Sequence, residues 1–235
     1  MDVSELRTAF NLSSNIAQRI EAFRRERIDR ISQDDTPVPI QKGCKMVFHI
    51  IPISAFCNTN YLDIKNHRNR LRNILTIRGH LHESRFNLEG LLNISNAEEF
   101  SAYVQIHRNS IFESVFVCTE NYKGMKYIPK RYEKDIIEHV ERCLGTLTEI
   151  DVHGPYYMFL SFVGAHGFAF AYNSMNIYSP RLAGRDIINI PGIEIPETDA
   201  DTQFADLLRP IFDMFWNAFN FPASENYDAN GKFKL

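Results

Sequence analysis

Apolar side chains recur at Ile16, Ile20, Phe23 and Ile31, one face of a helical repeat, and predict an amphipathic helix over 14–31 with Ser13 or Ser14 as its N-cap. Arg27 falls inside that stripe, whereas Arg19, Arg25 and Arg30 lie on its flanks or beyond. An arginine in such a place must snorkel to solvent or meet a carboxylate, because an unpaired buried charge is costly. The run Asp34-Asp35-Thr36-Pro37-Val38-Pro39 stops the helix in favour of extended chain. After it, 45–54 (KMVFHIIPIS) is apolar without interruption over a strand's length, the mark of a strand covered on both faces, and it carries His49.

The chain to about Asn73 is polar and irregular, with room for a short helix. The spans 75–82 and 88–94 then have the pattern of strands. Residues 100–107 and 111–119 flank Arg108-Asn109-Ser110, which predicts a β-hairpin with Arg108 at its tip. A helix is expected over 131–147, with Ile136, Ile137, Val140, Leu144 and Leu147 on one face. A second hairpin is expected from 156–163 and 168–172 around Gly164-Ala165-His166-Gly167, and an edge strand near 187–190. A last helix over 202–219 bears a broad stripe that includes Phe204, Leu208, Ile211, Phe212 and Phe215. The fold class expected is α+β: a mainly antiparallel sheet of hairpins with an N-terminal, a middle and a long C-terminal helix packed on it. One domain over 1–235 is expected, 1–36 serving as a helical connector and 44–235 as the α+β body.

Charge sharpens the picture locally. The net charge is -3, so a nucleic-acid contact needs a local patch, and one exists between Leu62 and Arg85: Lys65, Arg68, Arg70, Arg72, Arg78 and Arg85 against Asp63 and Glu83. Glu194, Glu197, Asp199, Asp201, Asp206 and Asp213 give the opposite bias near the end, so two solvated surfaces of opposite sign are the plainer reading. Cys44, Cys57, Cys118 and Cys143 are widely spaced and read as reduced thiols. No apolar run approaches the roughly 18 residues of a membrane span, and no basic-then-apolar leader opens the chain, so a cytoplasmic protein without membrane contact is expected.

Candidate chemistry is sparse. His80-x-His82 would place two imidazoles on one face of a strand, the start of a metal site, but no third ligand follows at a defined spacing, and neither a metal nor a cofactor is expected. The glycine turn at 164–167 lacks the phosphate-cradling patterns, and neither G-x-S-x-G nor H-E-x-x-H occurs. His49, Arg108 and Glu113 sit in or beside apolar strands. They are either a satisfied core histidine with one structural ion pair, or a polar pocket in which Arg108 binds an anion while Glu113 and His49 handle a proton.

Several stretches taken together resemble the C-terminal region of bacterial proteins that carry a Schlafen-related, Alb-like DNA-binding module: MDVSELR at 1–7, IEAFRRERIDRI, TPVPI, FHIIPISAF, RFNLEGLL, QIHRNSIFES and RPIFDMFWNAFNFPASENYDANGKF. These segments span nearly the whole chain, and none is a catalytic signature. In that family the Alb-like module precedes a segment similar to MDVSELR, so the resemblance implies that this chain starts at the junction, without the acidic residues of Schlafen-type nucleases and without any nucleotide site of the module. The resemblance implies association with an Alb-like module in cis or in trans. Three functions are thereby in view: a non-catalytic accessory domain for ligand sensing, assembly or nucleic-acid positioning; direct nucleic-acid binding through the basic patch; and a hydrolase or phosphoryl-transfer enzyme built on His49, Arg108 and Glu113, or on the His80 and His82 pair. Oligomeric state is not legible.

Overall fold

The computed structural model describes residues 3–57, 61–78, 81–95, 100–122, 124–171, 181–199 and 201–235, with side chains from residue 14 onward except at 122 and 171. Along the chain run α1 (Val3–Ser32), β1 (Lys45–Pro52), α2 (Ile64–Leu71), β2 (Glu83–Phe86), β3 (Gly90–Ile94), β4 (Ala102–His107), β5 (Phe112–Val117), β6 (Glu120–Tyr122) and β7 (Met125–Pro129). They are followed by α3 (Tyr132–Glu149), β8 (Tyr156–Val163), β9 (Ala169–Ala171), β10 (Ile187–Asn189), β11 (Ile193–Ile195) and α4 (Phe204–Asn217). The main sheet has eight strands, ordered β10-β8-β1-β5-β4-β3-β2, with β11 also on β8, and every pairing in it is antiparallel. The class is therefore α+β, with a mainly antiparallel sheet.

Strand alternation divides the sheet into two buried faces. Met46, Phe48, Ile50, Phe112, Phe116, Met158, Leu160 and Phe162 point to one side and pack with Leu71 of α2, Ile136, Val140 and Leu144 of α3, and Leu208, Ile211, Phe212 and Phe215 of α4. Their neighbours Val47, Ile51, Val115, Tyr103, Leu92, Phe159 and Val163 point the other way, under Ile20, Ile28 and Ile31 of α1. The central strand β1 is covered on both faces, hence its unbroken apolar run. Helix α1 thus covers this face of the sheet through its residues from Ile20 to Ile31.

Several expectations need correction. Helix α1 continues well ahead of Ser13 and Ser14, which lie inside it instead of capping it; residues 3–12 hold no proline or glycine to stop a helix. Of the expected strand over 75–82, the described residues 75–78 and 81–82 are not in a strand. Ile74, Thr76 and Ile77 are buried in irregular chain whose carbonyl at Ile74, like that of Leu71, accepts from the Asn93 side-chain amide, and Arg78 turns the chain at φ +73°. Gly164 and Gly167, at φ +74° and +77°, turn the chain off the sheet instead of closing a hairpin. The strand after them, β9, joins a separate three-stranded sheet, where it pairs parallel with β7, which in turn pairs antiparallel with β6. The expected edge strand is β10, and the hairpin around Arg108 is β4-β5. Among the described residues no helix is long and apolar enough to cross a membrane.

Candidate functional site

His49 and Glu113 face each other across β1 and β5, and Gln105 continues the row on β4. Arg27, coming down from α1, meets the Glu113 carboxylate end-on, Nε donating to Oε2 at 2.7 Å and Nη2 to Oε1 at 2.8 Å. The Tyr103 hydroxyl donates to Oε1 at 3.0 Å, and His49 Nε2 lies 3.1 Å from Oε2. An ionised carboxylate only accepts, so His49 carries a proton on Nε2. Burial pushes the Glu113 carboxyl up, but hydrogen bonds from Arg27 and His49, and their charge, outweigh it and hold it far below the usual carboxylate range. Glu89 lies 3.7 Å from Arg27 and 3.6 Å from Arg30 at the rim. His107, across the Phe23 ring from His49, is driven by burial down to about 4 and is neutral near pH 7.

The cluster is sealed: His49 and Glu113 have no exposed surface, and α1 closes over them. Arg108 is not part of it. It stands exposed at the β4-β5 tip, its Nε donating to the Leu88 carbonyl at 3.1 Å. The trio His49, Arg108 and Glu113 is therefore divided into a buried ion-pair network and a surface arginine. The partner that completes the network, Arg27, is the arginine whose position in the α1 stripe demanded a carboxylate.

Two further polar clusters escaped the sequence reading. On the α3 side, the Ser114 hydroxyl lies 2.6 Å from His139 Nε2, and Cys143 Sγ is 3.4 Å from the same atom. All three are buried; burial lowers the His139 imidazole to about 3 and raises the Cys143 thiol. A nucleophile so placed cannot meet a substrate. Between α3 and α4, the Glu133 carboxylate accepts from Trp216 Nε1 at 2.5 Å and from the Ser224 hydroxyl at 2.9 Å. Burial outweighs these neutral donors and raises Glu133 to about 7. The available signal was spacing, since Glu133, Ile136 and Val140 share a helix face.

The basic residues part company too. Lys65, Arg68 and Arg72, spaced along one side of α2 and its C-cap, are exposed. The Arg68 guanidinium carbon lies 5.3 Å from the Phe86 ring centroid. Arg70 turns toward Glu149 at 3.9 Å, and Arg85 lies on the opposite face of β2, 4.0 Å from Glu83. Arg78 is structural: it pairs with Asp135 at 3.1 Å and Glu120 at 3.3 Å and sits over the Phe116 ring. Arg108 joins the exposed set instead, because its carbonyl accepts from Leu62 N–H at 2.6 Å, just ahead of α2.

His80 lies outside the described residues, and among those described no three His, Cys, Asp or Glu side chains gather as a metal site. A cavity of about 580 Å³ between β10 and α4, and a cleft of about 120 Å³ beside Arg24 and Glu21, are lined by none of His49, Arg108 and Glu113. Comparison with protein-family models, with curated proteins and with solved structures finds no match to this chain.

Proposed function

We propose that the chain is a non-catalytic accessory domain that positions nucleic acid along the edge formed by α2 and the β2-β3 turn, in association with an Alb-like module. The observation that carries this reading is the separation of its polar residues. Those with proton-transfer chemistry, His49 and Glu113, are closed off beneath α1, whereas Lys65, Arg68, Arg72 and Arg108 are exposed on one edge, where the carboxylate of Asp63 is already engaged with Asn66 of α2. A hydrolase or phosphotransferase needs its acid and base at a surface a substrate can reach; a phosphate-contacting surface needs only cations at the rim.

The test is fluorescence anisotropy of labelled oligonucleotides with the whole chain as a function of salt. Four phosphate contacts on a single strand give a slope of log affinity against log salt near about -3. Replacing Lys65, Arg68 and Arg72 by Ala is expected to flatten that slope to about -1, whereas Arg78→Ala leaves it unchanged. Binding indifferent to salt, or equally sensitive to Arg78→Ala, counts against the surface. Co-purification of the chain with an Alb-like module, joined or separate, tests the second half of the reading.

A further inference from the structure

We infer that this edge is built for unpaired bases, so that the nucleic acid it takes is single-stranded. The inference rests on the nucleic-acid reading above and goes beyond it to the form of the polymer.

Five large apolar side chains are exposed among the described residues, and three of them, Tyr61 at 76%, Phe86 at 50% and Leu88 at 91%, belong to this one edge. Arg108 ties together the backbone that carries Tyr61 and Leu88. Its carbonyl bonds the residue after Tyr61, its Nε bonds the Leu88 carbonyl, and its own N–H donates to the Glu89 carbonyl at 3.0 Å. The β2-β3 turn is fixed further by Asn87, whose side chain accepts from Gly90 N–H at 2.8 Å and donates to Gln105 at 2.6 Å. These apolar groups are thus carried on a braced scaffold, and a group of exposed apolar side chains gathered on one edge marks an interaction surface.

The cations interleave with them. Arg68 lies over the Phe86 ring, Lys65 and Arg72 flank it on α2, and the Arg108 guanidinium lies at the Leu88 and Asn87 carbonyls while the Arg108 backbone bonds the residue after Tyr61. A surface of rings, apolar groups and guanidinium planes alternating with cations matches a strand whose bases are free to stack while its phosphates run past positive charge. In a duplex the base faces are already stacked on one another, and only its phosphates would be served here. In the sequence Tyr61 and Phe86 are the only rings in or beside the basic stretch, a poor interleaving; it is the fold that adds Leu88 and Arg108 to them.

The experiment compares an oligo-dT and an oligo-U of about fifteen nucleotides with a blunt duplex of equal length, against the whole chain and its Tyr61→Ala, Phe86→Ala and Leu88→Ala variants. The strands are expected to bind more tightly than the duplex, and each ring variant to weaken strand binding about five- to hundredfold with the duplex unaffected. These side chains are exposed, so thermal unfolding should not change and a loss of binding is not a loss of fold. In a Phe86→Trp variant the new indole should be quenched by added oligo-dT, while buried Trp216 is not. If the ring variants bind strands as the parent does while Lys65→Ala and Arg68→Ala weaken both forms, the edge reads phosphate alone and the inference is overturned with the proposed function intact. No binding of any oligonucleotide at low salt overturns both.

Discussion

Replacing Arg27 by Met removes one half of the network under α1 and leaves the other in place. The Glu113 carboxylate, fully buried, would retain only Tyr103 and His49 of its four hydrogen bonds, and no permanent cation within salt-bridge reach. Breaking a buried pair from one side costs about 3–5 kcal/mol, because the remaining charge has neither partner nor water. At about 2–4 °C per kcal/mol for a chain of this size, the melting temperature should fall by roughly 6–20 °C. Urea unfolding followed by the emission of Trp216, the sole and buried tryptophan, reads the change directly. The double variant Arg27→Met with Glu113→Leu removes both charges and should return to within about 2 kcal/mol of the parent. Acid adds a sign. In the parent, the Glu113 carboxyl is held below its ordinary 4.5, so its contribution is complete above that value and is lost as the pH falls beneath it. In Arg27→Met burial dominates and raises the carboxyl, so the variant loses stability as the pH climbs past 4.5, and the gap to the parent narrows from pH 7 toward pH 4.5. A gap under about 1 kcal/mol at pH 7, or one that widens toward acid, would refute the reasoning.

Glu133 titrates with the opposite sign: raised from 4.5 to about 7, it favours the folded state fully below 4.5 and loses that contribution as the pH rises to 7. Glu133→Gln should therefore match the parent at pH 4.5 and exceed it by up to about 3 kcal/mol at pH 8 in urea unfolding; a variant less stable at pH 8 would mean that the ionised carboxylate is the better partner for Trp216 and Ser224. Gly90→Ala is expected to cost about 3 kcal/mol or more, since Gly90 has φ +154° and an added Cβ would meet the Ile106 carbonyl oxygen; a melt within a degree or two of the parent would show that the β3-β4 ladder yields there.

The elements with their own internal period were legible: α1, α3, α4, β1 and the β4-β5 hairpin all follow from spacing that one segment carries alone. What failed depended on distant partners. Ile74, Thr76 and Ile77 are as buried as strand residues because the core needs their side chains, yet the chain leading into them is held by an amide from β3 at the Leu71 and Ile74 carbonyls instead of by a strand partner. Nothing in Ala169–Ala171 tells which strand will take it, and it went to β7. At the site, local pattern marked Arg27, His49 and Glu113 as polar groups in apolar settings, but it grouped His49 and Glu113 with Arg108 and left Arg27 without a named partner; only the fold joins Arg27 to Glu113. Arg108 had the same mark but sits at a hairpin tip, where an arginine needs no buried partner. Leu88 carried no mark, since an exposed leucine is recognised only once its surroundings are known.

The way α1 docks also sets an order of events during synthesis. Its apolar face rests on β1 and β8, and Arg24 reaches the Ser161 hydroxyl at 3.1 Å and the Ile190 carbonyl at 2.7 Å, partners that leave the ribosome long after Ser32. At about 5–20 residues per second, the interval from Ser32 to Val163 is on the order of ten seconds. For that time Ile20, Phe23, Ile28 and Ile31 form a nascent helix with no sheet to lie on, open to chaperones and to neighbouring chains alike. Arg27, placed in the middle of that face, keeps it from being wholly apolar until Glu113 and the rest of the sheet arrive.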